Sequence, residues 1–354
     1  QKETGVNQAI TQTIGVDLGD KYSAYCVLDE ASGEVLERGR IRTTPQHFER
    51  FFSKRRTARV VMEVGTHSPW ASRAVQGLCA EVHVANSRDL RFIYMNPRKS
   101  DVLDSELLAR VGRMDSRLLR SIRHRGASAQ QDLVVIRLRA ALVAARTDLV
   151  NAVRGVMKSL GERLPKMDAA SIGHATLAQV PEALRERVKP LLLALESISD
   201  SVREYEAEIE FLARETYPET ALLTQVYGVA ELTALTFVLT LEDRHRFERS
   251  RTVGPFLGLV PGRDQSGDMD KALRITKAGD TYLRALLVQS AHCILRTKSP
   301  DSDLKRFGER IAADRGKVAK RKAVVAVARK LAVLLYALWR SGEIYEPLRV
   351  NQAA

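Results

Sequence analysis

Short apolar runs broken by turn-forming residues dominate the first third of the chain. Residues 13–18, 22–29, 34–42 and 58–64 read as strands, with Glu30-Ala31-Ser32-Gly33 as the turn between the second and third. A further strand is predicted near 81–85. Helices are predicted over 45–54, from Ser68 to about Cys79, and from Asp101 onward. Past residue 120 the apolar spacing lengthens to a helical period. Leu133, Ile136, Leu142, Leu149, Val153 and Leu160 predict one helix over 127–165, and Leu191, Leu195, Ile198, Val202 and Ile209 predict another over 181–215. Pro165 and Pro181 bound their connection, so the pair reads as an antiparallel arm, serving either as a coiled-coil dimerisation element or as a simple spacer. From 221 onward the pattern is helical around a loop-rich middle, Leu257 to Asp268, whose proline and three glycines exclude regular helix. The expected class is α/β plus all-α, with domains at 1–120, 121–220 and 221–354.

Three meandering strands followed by β-α-β-α is the order of the ribonuclease H-like fold. Against that pattern, four carboxylates stand out. Asp17 interrupts Ile14-Gly15-Val16-Asp17-Leu18, and Glu63 interrupts Val60-Val61-Met62-Glu63-Val64, both runs typical of strands covered on two faces. Asp101 and Asp104 lie three apart on the next helix, at about 100° per residue in or beside the arc that carries Leu107, Leu108 and Val111. An acid in a first helical turn behind a Ser100 cap has a purely structural explanation, which covers Asp101 but not Asp17 or Glu63. Like charges brought together and desolvated need cations or several hydrogen bonds. Mg²⁺, with Mn²⁺ as the substitute, suits a set of four acids that has no His or Cys cluster beside it.

Charge is unevenly spread along the chain. The net +13 divides into +4 for residues 1–120, 0 for 121–220 and +9 for 221–354, so the excess is C-terminal. A polyanionic partner, nucleic acid rather than membrane, is the expected reason. Hydrophobic content of 45% and charged content of 28% describe a soluble protein. Residues 1–13 are polar, and the longest apolar stretch, 323–339, is broken by Arg329 and Lys330, so neither a signal peptide nor a membrane span is expected. Cys26, Cys79 and Cys293 form no paired spacing, which fits a reducing, cytoplasmic compartment.

In the loop-rich middle, small residues around Gln265-Ser266-Gly267 make the Ser266 hydroxyl accessible. The segment Arg274-Ile275-Thr276-Lys277-Ala278-Gly279 behind it offers side chains and backbone N–H groups to a phosphate. A turn with no chemistry has the same composition.

Taken in order, these pieces resemble the DEDD insertion-sequence transposases of the IS110 family, whose relatives include the Piv-type DNA invertases. Ile14-Gly15-Val16-Asp17, Met62-Glu63-Val64-Gly65-Thr66 and Arg98-Lys99-Ser100-Asp101 with Asp104 look like that family's RuvC-like domain. Phe256-Leu257-Gly258-Leu259-Val260-Pro261, Ser266-Gly267, Arg274 to Gly279 and Leu283-Arg284 look like its transposase domain. The resemblance implies cutting and rejoining of donor and target DNA, with Asp17, Glu63, Asp101 and Asp104 as the catalytic, metal-binding quartet and Ser266 as nucleophile through a phosphoserine intermediate. It also implies a structured noncoding guide RNA and a homo-oligomer, a dimer or two dimers, acting at the bacterial nucleoid. Lys99, Arg263, Arg274 and Lys277 would contact nucleic acid. Competing readings are a Piv-type invertase, a RuvC-like structure-specific nuclease using water, and an actin-like ATPase suggested by Gly15-Val16-Asp17-Leu18-Gly19-Asp20. The last lacks a downstream second phosphate motif.

Overall fold

The computed structural model describes residues 9–86, 100–266, 269–313 and 316–348. Lys99 and Gly267 therefore lie outside the described residues. The chain divides into two compact units, one reaching to Ala127 and the other starting at Ser128.

In the first unit β1 (Gln12–Asp17), β2 (Tyr22–Asp29), β3 (Val35–Arg42), β4 (Ala58–Glu63) and β5 (Glu81–Ala85) form one sheet of order β3-β2-β1-β4-β5. Strands β1, β4 and β5 are parallel, and β2 runs antiparallel to both β1 and β3. The central position of β1 and β4 follows from their composition. Ile14, Val16, Val60, Val61 and Met62 are fully buried, which only strands covered on both faces allow. The edge strand β3 instead exposes Glu37, Arg38, Arg40 and Arg42.

On one face, Ile14, Val16, Val60 and Met62 pack against Phe48 and Phe52 of α1 (Pro45–Phe52) and Ala71 and Val75 of α2 (Ser68–Val75). Burying each phenylalanine is worth about 2–3 kcal/mol relative to leaving it exposed. Helix α2 ends near Val75, four residues before the position expected from spacing, because Gln76 is extended and Gly77 takes a left-handed φ of 87°. The other face carries α3 (Asp101–Met114), packed through Leu108 and Ala109. Gly15 permits the close approach, since a Cβ there would overlap the Ser105 carbonyl and the Ala109 nitrogen. Gly112 likewise lies over Val61 and Thr13.

The second unit begins with the paired helices α4 (Ala127–Ser159) and α5 (Glu182–Phe211). They run antiparallel. Val150, Val153 and Met157 share a core with Val188, Leu192 and Leu195, while Leu133 and Ile136 meet Ile209 at the opposite end. Arg139 pairs with Glu206, and the Arg146 guanidinium reaches Ser199. Helix α4 ends at Ser159 rather than at 165. Gly161 adopts φ 81°, and the N–H groups of Gly161 and Glu162 turn back to the carbonyls of Lys158 and Met157 to close the helix. What the chain itself forms is an intramolecular helical pair.

Helices α6 (Glu231–Leu241), α7 (Thr281–Ile294), α8 (Asp303–Ala312) and α9 (Lys317–Ser341) build the remaining core. Helix α6 is buried on nearly every side, and α9 contributes Val327, Ala328, Leu331, Leu335 and Tyr336. The middle expected to be loop is instead a β-hairpin, β6 (Pro261–Ser266) paired with β7 (Met269–Ile275). Its main-chain pairing is invisible in composition, because Gly, Asp, Gln and Ser all carry low strand propensity. Among the described residues no helix is long and apolar enough to cross a membrane.

Candidate functional site

The sheet places Asp17 and Glu63 at the C-terminal ends of two adjacent parallel strands. The β1–β4 register aligns Gly15 with Val61 and Val16 with Met62, so its continuation sets Asp17 beside Glu63. Strand alternation puts both on the α3 face, the side of Gly15 and Val61, since Val16 and Met62 belong to the opposite core. Helix α3 runs antiparallel to β1. Gly112 lies over Thr13, Ser105 and Ala109 lie over Gly15, and the next turn, 101–104, therefore extends toward Asp17.

Asp104 in that turn is 8% exposed, whereas Asp17 and Glu63 are half-buried. Asp101 behaves differently. Its side chain is 67% exposed and, among the described residues, pairs with Arg40 at 3.9 Å. The Ser100 hydroxyl accepts the Leu103 N–H and caps the helix. The fold thus brings Asp17, Glu63 and Asp104 to one end of one sheet face, and leaves Asp101 at its rim.

Their donors are all oxygen, the chemistry hard divalent cations prefer. Among the described residues, however, no three His, Cys, Asp or Glu side chains are gathered closely enough to chelate an ion. The backbone positions and donor chemistry fit a cation; a closed ligand set is not formed in this conformation. Like-charged carboxylates repel on approach, a cost that a bound cation would offset.

The turns around these strand ends are tightly made. A Cβ on Gly19 would overlap the Tyr22 carbonyl, and His67 Nε2 lies 3.7 Å from Asp20 Oδ1, linking the loops after β1 and β4. Ser68, fully buried, clamps the turn that follows Glu63. Its hydroxyl accepts the Gly65 N–H at 3.0 Å and donates to the Gly65 carbonyl at 2.9 Å. With that proton committed, His124 Nε2 is the donor in its 2.8 Å bond to Ser68 Oγ.

Burial, with Arg73 and Arg125 nearby, pushes the His124 pKa down to about 4. A histidine held neutral in the fold stabilises it fully above its ordinary value of 6.5, and that contribution is lost as pH falls from 6.5 toward 4. Thermal melts should therefore show wild type losing stability across this window more steeply than His124→Gln. Identical pH dependence of the two proteins would remove His124 from the clamp. Neither Ser68 nor His124 carries a pattern in the sequence that marks it.

In the second unit Ser266 is exposed at the end of β6, paired across the hairpin with Met269. Asp264 and Lys271 share its face by register. Arg263, Arg274 and Lys277 are exposed as well. The hairpin base is rigid. Arg284, 8% exposed, donates to the carbonyls of Leu257 at 3.0 Å and Ala278 at 2.7 Å, and a Cβ on Gly258 or Gly279 would overlap the facing backbone.

The expectation that backbone N–H groups of 274–279 hold a phosphate is not met at Thr276 and Lys277. Thr276 N–H donates to Val260, Lys277 N–H to Gly258, and the Leu283 N–H at the following helix start goes to Asp280 Oδ1. These donors are used internally. Arg284 was legible only as a charge inside the apolar stripe Leu283, Leu286 and Leu287.

Comparison with known families matches both halves. A transposase profile of the DEDD IS110 type covers residues 14–161, and one described as the transposase IS116/IS110/IS902 family covers 220–306. The chain belongs to the IS110/IS116 transposase family. Among its relatives, the transposase for insertion sequence element IS1111A of Coxiella burnetii is 26% identical over 339 residues, 94% of this chain and 90% of that protein. The transposase for insertion sequence element IS1328 of Yersinia enterocolitica is 25% identical, covering 94% of this chain and 98% of its own. A probable family 20 transposase of Pseudomonas aeruginosa is 28% identical over 72% of this chain and 76% of its own length. The chain is thus a transposase of an IS110-family insertion sequence, a class that acts on DNA. Its DEDD profile spans Asp17, Glu63, Asp101 and Asp104, and its second profile spans Ser266.

Proposed function

We propose that this transposase cuts and rejoins DNA strands through a phosphoserine intermediate formed on Ser266, with Asp17, Glu63, Asp104 and Asp101 holding a divalent cation. The observation that carries the reading is the convergence of Asp17, Glu63 and Asp104 at one end of the sheet, produced by the β1–β4 register and the crossing of α3 at Gly15. The exposed position of Ser266 on a rigidly mounted hairpin supports its part in it.

The Ser266 Oγ forms a bond to a backbone phosphorus, the phosphorus–oxygen bond to the adjoining strand breaks, and the departing strand oxygen takes up a proton. A hydroxyl of another strand then attacks the phosphoserine and returns the proton to Ser266. One phosphodiester is exchanged for another, so joining needs no ATP. When bound, Mg²⁺ or Mn²⁺ supplies positive charge against the negative charge that grows on the phosphoryl oxygens. Arg263, Arg274, Lys277 and Lys99 would hold the DNA backbone. Target choice would fall to a structured noncoding RNA, whose paired geometry a basic protein reads through phosphates. Assembly of protomers through the helical pair completes the reading.

Denaturing a reaction on element-end DNA and digesting the trapped adduct should place the nucleotide phosphate on the peptide containing Ser266. Cleaved DNA with no adduct would favour the water-using nuclease instead, and an adduct on another residue would overturn the role of this serine.

A further inference from the structure

Helix α9 carries seven Lys and Arg residues and no Asp or Glu over its 25 positions. Four of them, Lys317, Lys320, Arg321 and Lys322, fall in its first two turns and are exposed. The turns that follow bury Ala323, Val324, Val327 and Ala328 in the main core, so these cations ride on a helix fixed by packing. Their grouping is electrostatically unfavourable within the chain. Lys317 and Arg321, four apart, repel as neighbours, and all four sit at the positive end of the helix dipole. Among the described residues none of the four takes part in an ion pair within 4.0 Å. An anion from outside the chain offsets this cost.

The angular arrangement selects which anion. Lys320 and Lys322, two residues apart, project about 200° apart around the axis, nearly on opposite flanks, at about 100° per residue. Cations on both flanks reach two phosphate rows at once. A helix with side chains is roughly 10–12 Å across, and the B-DNA major groove about 12 Å wide, whereas the A-form major groove is too narrow to admit one.

We propose that the first two turns of α9 are a duplex-DNA docking element, with Lys320 and Lys322 on opposite backbones of the groove and Lys317 and Arg321 between them. It rests on the protein's acting on DNA, and is independent of which residue performs the chemistry.

The test is equilibrium binding of the full chain to an arbitrary-sequence duplex of about two helical turns, in chelator, across a salt series. Each phosphate contact contributes about 0.9 to the slope of log affinity against log salt, so K317Q/K320Q/R321Q/K322Q should flatten that slope by about 3–4, and K320Q or K322Q alone by about 1 each. Affinity at low salt should drop at least about tenfold for the quadruple variant, with an unchanged or higher melting temperature because repulsion is relieved. S266A should keep the wild-type slope, which separates this element from the catalytic reading. A slope for the quadruple variant within one of wild type overturns the proposal. So does a variant that loses affinity for an RNA hairpin of the same length while its duplex-DNA slope stays unchanged.

Discussion

Ser266→Ala is expected to eliminate the covalent protein–DNA adduct and all strand exchange, while leaving duplex affinity within about twofold. Ser266 ends an exposed strand, its side chain contributes to no core cluster, and truncating an exposed hydroxyl changes stability by about 0.5 kcal/mol or less. Arg284, Gly258 and Gly279 hold the hairpin from below and are untouched by the change. Loss of adduct therefore reports chemistry rather than unfolding. A gel of the denatured reaction decides it, with melting temperature as the control. If the alanine variant still carries covalently bound DNA, another nucleophile operates.

The second large effect is expected at the strand ends. Asp17→Asn or Glu63→Gln, each retaining shape while removing a charge, should lower metal-dependent cleavage by about 10²–10³-fold, the usual loss when one electrostatic contributor to a transition state is deleted. Both sit where β1 and β4 emerge from the core, and neither fills it, so the fold should survive. Calorimetric titration with Mn²⁺ supplies a readout besides turnover, and weaker binding is expected for each variant. Asp101→Asn should do less, because that side chain stands mostly in solvent beside Arg40. Equal losses at Asp101 and Asp104 would mean that the first turn of α3 rearranges on binding the cation. Unchanged cleavage in Asp17→Asn would remove the acids from catalysis.

Most of the first unit was legible before any coordinates. Strand bounds expected at 13–18, 22–29, 34–42, 58–64 and 81–85 lie within a residue of those found; for β1, β2 and β4 the reason is that two-sided burial demands unbroken apolar runs, which polar turns then punctuate. Helix ends are less legible. Those of α2 and α4 depend on single glycines at Gly77 and Gly161 that leave the helical region, and a glycine alone does not announce which φ it takes. The hairpin at 261–275 is hidden for a related reason: its order comes from main-chain pairing and from a buried arginine beneath it, neither of which has a periodic signature.

Read alone, the chain marks its chemically anomalous residues: acids inside apolar strands, a serine among small residues, and cations massed toward one end. Those follow from local rules of burial cost and charge. Which of these anomalies meet is fixed by packing in three dimensions. Register between β1 and β4, about 45 residues apart in the chain, and the closeness that Gly15 grants to α3 bring Asp17, Glu63 and Asp104 to one end of the sheet. The same packing leaves Asp101 in solvent and recruits Ser68 and His124 to hold the turn behind Glu63. Proximity between distant segments is a property of packed surfaces, and a one-dimensional pattern carries no distance across them.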